Sequence, residues 1–306
     1  RLNLTMEGFW EKRSDILTAS NVSGIFGIEV GQMNAGIQKY KGMDIALSWR
    51  DKAGDFCYGI GASFSYLNSE IVEDNQPFQP YDYLYHRGNK VGQCYGLEAT
   101  GFFKDEDDIK KSFPQTFNPD GVRPGDVKYK DQNGDRVIDD LDCVKLGNST
   151  IPTGYWGLNL DCSYKNFELV ADFQGVTGRT VSLLDSPLYQ PLVNNGNLSS
   201  YFLEHEVPWT ESTAEYATMP RLTTKKNSNN YRASSLWYRS GSFFKLRNLM
   251  LAYTFPQKMV RFADVKVYLQ GTNLFSIDHI DFADPEQLSA NYPTTRAYWL
   301  GLKMNF

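Results

Sequence analysis

The segment AYWLGLKMNF, residues 297 to 306, decides the fold. Tyr298, Leu300, Leu302, Met304 and Phe306 fall on one parity; Ala297, Trp299, Gly301, Lys303 and Asn305 fall on the other. A repeat of two is that of a β-strand, whose side chains point alternately to opposite faces. Chain termini usually fray in polar residues, yet one face here stays apolar up to the last residue. Such a strand needs an apolar medium along one whole side.

The same alternation recurs upstream. Leu2, Leu4, Met6 and Trp10 alternate with Asn3, Thr5 and Glu7. Ile37, Met43, Ile45, Leu47 and Trp49 oppose Gln38, Tyr40, Asp44, Ser48 and Arg50. Phe56, Tyr58, Ile60, Ala62, Phe64 and Tyr66 oppose Cys57, Gly59, Gly61, Ser63 and Ser65. Further strands read from Trp156, Leu158 and Leu160, from Phe167, Leu169, Ala171 and Phe173, from Leu249, Leu251, Tyr253 and Phe255, and from Val265, Val267 and Leu269. With the terminal segment this makes an all-β chain of about eight strands.

Alternation alone fits an antiparallel sandwich, wet on one side of each sheet, as well as a transmembrane antiparallel β-barrel. Three features favour the barrel. Short connections at 51–55, 165–166 and 256–264 alternate with long ones at roughly 11–35, 69–153, 176–241 and 276–296, the arrangement of tight periplasmic turns and long external loops. Lys39, Lys41, Lys245 and Arg247 are in phase with the apolar face, but only toward the loop ends of their strands, where charge on a lipid face is cheap. Trp49, Tyr164 and Phe255 close apolar faces at the turn side, and Tyr66 and Trp156 lie near the loop side, where amphipathic rings favour a membrane boundary.

Composition agrees. The sequence has 306 residues, 41% hydrophobic and 14% aromatic, with formal net charge -5. Mean hydropathy is -0.45. The acidic balance argues against a nucleic-acid partner. No run approaches the ~18 apolar residues of a membrane helix, and RLNLTMEGFW does not read as a signal peptide. Cys57, Cys94, Cys143 and Cys162 have no metal-type spacing and read as unpaired packing residues, with a Cys94–Cys143 bridge left open.

Two loop stretches carry chemistry. In YKDQNGDRVIDDLD, Asp131, Asn133, Asp135, Asp139 and Asp142 place oxygen donors at alternating positions with an acid at the twelfth, which suits calcium in a structural role. Arg136 stands where such a loop expects glycine, and the competing reading is a polar turn closed by Asx hydrogen bonds. No other cofactor is called for. The second stretch carries Tyr189, Tyr201, Trp209 and Tyr216, candidates for contact with a solute or partner. Glu204, Glu206 and Glu211 in the same loop could suggest a glycosidase pair, but nothing places two of them in one cleft. With three histidines and neither H-E-x-x-H nor G-x-S-x-G, no catalytic set emerges, and the chain reads as no enzyme.

Ordered blocks across the whole chain carry a resemblance: HRGNKVGQCYGLEATGFF, PGDVKYKDQNGDRVIDDLD, KLGNSTIP, SYKNFELVADFQGVTG, FFKLRNLMLAYTFP, VYLQGTNLFSI, DFADPE and YPTTRAYWLGLKMNF. Together they resemble the C-terminal part of SusC/RagA-like TonB-dependent transporters of Gram-negative outer membranes. Arg136 departs from the NGDG that the family loop usually carries. The resemblance implies that residues 1–306 are the C-terminal segment of the barrel domain, supplying about the last eight strands of a 22-stranded, plugged barrel. The plug domain and TonB box would lie outside these residues. It further implies a SusD-like surface lipoprotein as partner, TonB acting through the missing N-terminal part, outer-membrane lipid around the wall, and oligosaccharides or peptides as cargo. Asp44, Asp161, Glu168 and Asp172 would then face the plug or the solute path, and Phe306 resembles the assembly signal of such barrels. Two other readings stand beside it: a complete eight-stranded barrel acting as anchor or adhesin, and a secreted β-sandwich hydrolase.

Overall fold

The computed structural model describes residues 1–19, 31–186, 189, 197–260, 263–280, 283–288 and 294–305. In chain order the strands are β1 (Leu2–Thr18), β2 (Met33–Ala53), β3 (Phe56–Glu73), β4 (Gln93–Gly96), β5 (Ala99–Phe102), β6 (Val127–Tyr129) and β7 (Val144–Ser149). They continue with β8 (Gly154–Tyr164), β9 (Phe167–Thr177), β10 (Thr180–Ser182), β11 (Tyr238–Ser240), β12 (Phe243–Thr254), β13 (Asp264–Ile277) and β14 (Ala297–Asn305). Two six-residue helices, α1 (Glu106–Lys111) and α2 (Ser200–His205), lie in the long connections.

Eight of the strands form one antiparallel sheet in the order β1-β2-β3-β8-β9-β12-β13-β14. Neighbours follow each other along the chain, so every connection is an up-and-down one. Three are tight: Gly54-Asp55 joins β2 to β3, Lys165-Asn166 joins β8 to β9, and the segment after Thr254 leads into Asp264. Gly54 and Lys165 take positive φ, 62° and 53°, the left-handed conformation that lets a strand reverse in two residues.

Register turns the sequence pattern into rows. One row reads Leu4, Leu47, Ala62, Leu158, Phe173, Leu246 and Phe275. The next toward the loops reads Met6, Ile45, Phe64, Trp156, Gly175, Phe244 and Ile277. Seven strands of apolar side chains at one height, exposed or half-exposed at every strand but the one carrying Leu246, cannot be a water-facing surface. Leu300 is 79% exposed and Leu2 65%. From the Phe56 row to the Tyr66 row is ten residues, about 33 Å along a strand, or about 25 Å of height at a tilt near 40°, the thickness of a lipid-facing band.

Aromatic rings gather at both rims of that band. Phe167 meets Tyr253 at 4.8 Å, Tyr253 meets Phe255 at 5.2 Å and Trp49 meets Tyr58 at 5.4 Å on the turn side. On the loop side Trp156 stacks on Phe244 at 4.9 Å across Gly175, where a Cβ would sit 2.4 Å from the indole. Only glycine lets these two rings meet. The expected aromatic placement is therefore what the structure has. Phe306 lies outside the described residues.

Three expectations are corrected. β1 runs to Thr18 and β2 starts at Met33, so the first long connection is 19–32 rather than 11–35. Lys245 and Arg247 do not face lipid. A bulge between Leu246 and Asn248 interrupts the pairing of β12 with both neighbours, so Phe244 and Leu246 point outward and Lys245 inward. Strict alternation counted back from Leu249 assigns the wrong face to everything before the bulge. The complete eight-stranded barrel also fails: among the described residues β1 pairs with β2 alone and β14 with β13 alone, and the sheet does not close on itself.

Two of the long connections are folded, not slack. Their described residues, 74–153, 178–186, 189 and 197–242, pack into one layer over the loop end of the sheet, with short ladders β4–β7, β5–β6 and β10–β11. One core holds Leu97, Val127, Tyr129 and Ile138; the other holds Leu183, Tyr189, Phe202, Met219 and Trp237. Leu236 packs against both. Leu97 donates its amide to Ala233 O and receives that of Ser235, stitching the two connections together by backbone.

Candidate functional site

The site follows from what strand alternation leaves on the other face. At mid-height the inward row is Asn3, Ser48, Gly61, Asn159, Asp172, Asn248 and Thr272. Asn159 donates to Asp172 Oδ1 at 2.8 Å and Asn248 to Asp172 Oδ2 at 3.3 Å, so two neighbouring strands hold this carboxylate. One row toward the turns, Arg50 lies 3.7 Å from Asp161, which sits over Gly59. Glu168 pairs with Lys266 nearer the turns. Of the four carboxylates expected on the inner face, Asp161, Glu168 and Asp172 are thus anchored there, and Asp44 takes its place in the row of Glu7 and Ser65. The inner face thus presents ordered hydrogen-bonding groups on a regular strand lattice.

At the loop end the wall carries a denser cluster. Lys245, whose side chain is 3% exposed, bonds Asp284 and Glu286, the latter at 2.8 Å. Arg247 bonds Glu286, Gln174 Oε1 at 2.8 Å and Asn273 Oδ1 at 3.3 Å. Arg179 reaches Pro285 O at 3.3 Å. The described part of the DFADPE stretch, residues 283–286, is therefore bent back onto the inner wall and held by three cations. Burial alone would raise the Asp284 and Glu286 carboxyls, but hydrogen bonds from Lys245, joined at Glu286 by Arg247, outweigh it and hold both below the usual range.

The sequence candidates fall in the loop layer. Tyr189 is buried in the second core and donates its hydroxyl to Glu206 Oε1 at 3.1 Å, while Thr218 occupies Oε2 at 2.6 Å. Trp209 is buried against Gly125, where a Cβ would meet its ring at 2.3 Å. Tyr201 stacks on His205 at 4.0 Å along α2. Tyr216 is 63% exposed. So the four do not form one surface: Tyr189 and Trp209 hold the layer together, and Tyr216 is the one turned fully to solvent. Glu204 and Glu211 are exposed and form no hydrogen bond with Glu206, which leaves no carboxylate pair.

The residues from Asp131 to Asp142 form a closed turn. Asp131 accepts the amides of Gly134 and Arg136, Asn133 that of Asp135, Asp135 that of Val137, and buried Asp142 those of Gln132 and Asp139. Arg136 takes φ 69°, the conformation for which a glycine was expected. Among the described residues no three His, Cys, Asp or Glu side chains converge as a metal cluster. The donors stand in the order read from the sequence, and both oxygens of Asp131, Asp135 and Asp142 accept hydrogen bonds from within the turn.

Sequence reasoning missed the polar knot beneath. Asp126, with no exposed surface, accepts from Arg221 Nε at 2.7 Å, Asn227 Nδ2 at 3.0 Å, Asn230 Nδ2 at 2.9 Å and the Arg123 amide at 2.8 Å. Nothing in PGDVKY marks that aspartate as buried; only the NSNN run, rich in short amides, hints at a network. A recess of about 390 Å³, lined by Phe103, Phe113, Tyr129, Lys111, Lys128 and Lys130 beside Asp131, was equally hidden.

Ionisation in the loop layer points away from acid–base chemistry. Burial pushes the Tyr231 and Tyr238 phenols up to about 12. Hydrogen bonds from Gln132 and Lys130 pull Glu98 down, and one from Lys128 pulls Asp108 down. A general acid or base is tuned toward neutrality, and these groups are tuned away from it. All four cysteines are free.

An open antiparallel sheet, apolar outside and hydrogen-bonding inside, with tight turns at one end and folded loops at the other, defines a wall segment of a transmembrane β-barrel. The particular likeness is to TonB-dependent receptors. TonB-dependent receptor P3 of Formosa agariphila is 24% identical over 341 residues, covering 100% of this chain and 32% of the relative. TonB-dependent receptor P26 of the same organism is 29% identical over 237 residues, covering 72% of this chain and 23% of the relative. Among solved structures, the RagAB peptide transporter overlays with TM-score 0.72 at 21% identity, over 100% of this chain and 33% of that one. Its open-open state, described as a peptide importer, gives 0.69 at 20% identity. No family model matches. The resemblance read from the sequence blocks is thus borne out in sequence and in fold, and none of these relatives is named as an enzyme. The chain spans about a third or less of the length of the proteins it matches.

Proposed function

We propose that this chain is part of the wall of a TonB-dependent active importer in the outer membrane of a Gram-negative bacterium. The observation that carries the reading is the two-faced sheet, lipid-compatible outside and lined inside by the Asn159–Asp172–Asn248 row, in a chain similar to TonB-dependent receptors from end to end. The cargo is an oligosaccharide or peptide, for which dense hydrogen-bonding groups are suited, and the peptide importer among the structural neighbours favours the second. A SusD-like surface lipoprotein closes over the loop layer, and TonB acts through a plug outside these residues. Detergent extraction of the outer membrane, with peptide mapping of what co-purifies, tests this. The expected result is one polypeptide holding plug and barrel, together with a surface lipoprotein; recovery in the soluble fraction overturns it.

The Asp131–Asp142 turn belongs to the same reading as a structural calcium loop, supported by its donor order. Added calcium then slows proteolysis between 131 and 142, and a chelator restores it. Identical cleavage in both conditions leaves a plain Asx turn.

A further inference from the structure

The outward face carries a feature that neither barrel closure nor cargo explains. Directly above the loop-side rim, the row of Trp10, Lys41 and Asn68 follows that of Gly8, Met43 and Tyr66, and the next row is Lys12, Lys39 and Glu70. Lys12 and Lys39 are direct cross-strand partners. Like charges placed opposite each other on one face of a sheet repel. Among the described residues none of the three lysines forms an ion pair; Glu70 lies opposite Lys39 without bonding it, and the nearby Arg13 is taken by Glu11 and stacks on Tyr40. Three ammonium groups and one carboxylate therefore share an outward patch three strands wide, in a chain whose net charge is negative.

Height fixes what this patch meets. The Trp10 and Lys12 rows lie about 7 and 13 Å beyond the Tyr66 row along the strands, about 5 and 10 Å in height at a tilt near 40°, just outside the apolar band and at the level of the headgroups. Lysine stems of this length lie along apolar surface and place the charge at that level. Trp10, 66% exposed, marks the boundary beneath them.

We propose that Lys12, Lys39 and Lys41 form a binding site for the phosphate of an anionic lipid headgroup in the leaflet at the loop side. The headgroup relieves the Lys12–Lys39 repulsion and accepts hydrogen bonds that no group among the described residues takes. The site rests on the membrane reading given above, and it assigns the wall a preference among lipids that burial of apolar surface alone does not provide.

The test uses the full-length protein in nanodiscs of phosphatidylcholine mixed with phosphatidylglycerol, with bound lipid counted by native mass spectrometry. The wild type should retain phosphatidylglycerol in preference to phosphatidylcholine. K12Q/K39Q/K41Q should weaken that preference at least about tenfold, on the scale of attraction expected per surface lysine. The arginine triple should keep it, and heat-modifiable mobility reports that each variant is folded. A variant with equal charge loss elsewhere, K225Q/K226Q/K258Q, should match the wild type. Equal loss in both glutamine triples, or no preference in the wild type, overturns the site. So does inorganic phosphate if it displaces the lipid completely at low millimolar concentration, since that is the behaviour of a free-ion site. Failure of the wild type to enter nanodiscs is a separate outcome: it removes the membrane reading and the site together.

Discussion

At the scale of single residues, the face a side chain occupies matters more than its identity. Leu158 lies between Ala62 and Phe173 at mid-band, whereas Ser48 faces inward between Asn3 and Gly61. Leu158→Arg should cost roughly 2–4 kcal/mol of barrel stability, and Ser48→Arg well under half of that. Heat-modifiable gel mobility of membrane-extracted protein reads the difference, and equal losses would contradict the two-faced sheet. Most outward positions were legible from the sequence because alternation survives along each uninterrupted strand. Lys245 and Arg247 were not. A one-residue bulge reverses parity without leaving a mark in composition, and two charges near a strand end look the same whether they snorkel or turn inward.

Among elements, the segment around Asp284 tests how the final connection is held. Lys245→Gln removes the central cation of a buried charge cluster, leaving Asp284 without its ion pair and Glu286 with Arg247 alone. Loss of one member of such a pair costs about 3–5 kcal/mol, here discounted for Glu286, which is about a third exposed. Hydrogen exchange at residues 283–288 should rise sharply in that variant and stay unchanged in Lys266→Gln. The pH dependence follows from the direction of the shifts. Both carboxyls are held below their unfolded values, so the stability they contribute is complete above the unfolded carboxylate range, near pH 4, and is lost as pH falls through the lowered folded values. The segment should stay protected at neutral and mildly acid pH and open below about pH 4. Opening between pH 6 and 8 would show that some other group holds it.

For the whole molecule, an open sheet has two edges with unpaired backbone groups, which in hydrocarbon must find partners. Residues 1–306 expressed alone should therefore assemble into oligomers or aggregates, while the full-length protein runs as one species; analytical ultracentrifugation in detergent separates the cases. A monodisperse monomer of the isolated segment would revive the small closed barrel. Sequence made the eight wall strands readable because each carries its own periodic signal. It left the loop layer unread because that layer is organised by contacts between positions about a hundred residues apart, such as Asp126 with Asn227 and Asn230. The four aromatics chosen as surface contacts show the same limit: Tyr189 and Trp209 differ from Tyr216 in their neighbours, not in their local sequence.

The shared anchorage of Asp126 also bears on transplantation. Arg221, Asn227 and Asn230 from one connection close around a carboxylate from the other, and Leu236 plugs the cores of both. Anyone re-engineering specificity by exchanging external segments with a relative would find that neither is a separable cassette. Moved singly, one strips Asp126 of its donors and the other leaves Arg221 without its carboxylate, and a chimera made that way should misfold above an intact wall; moved as a pair, the two carry their own foundation with them.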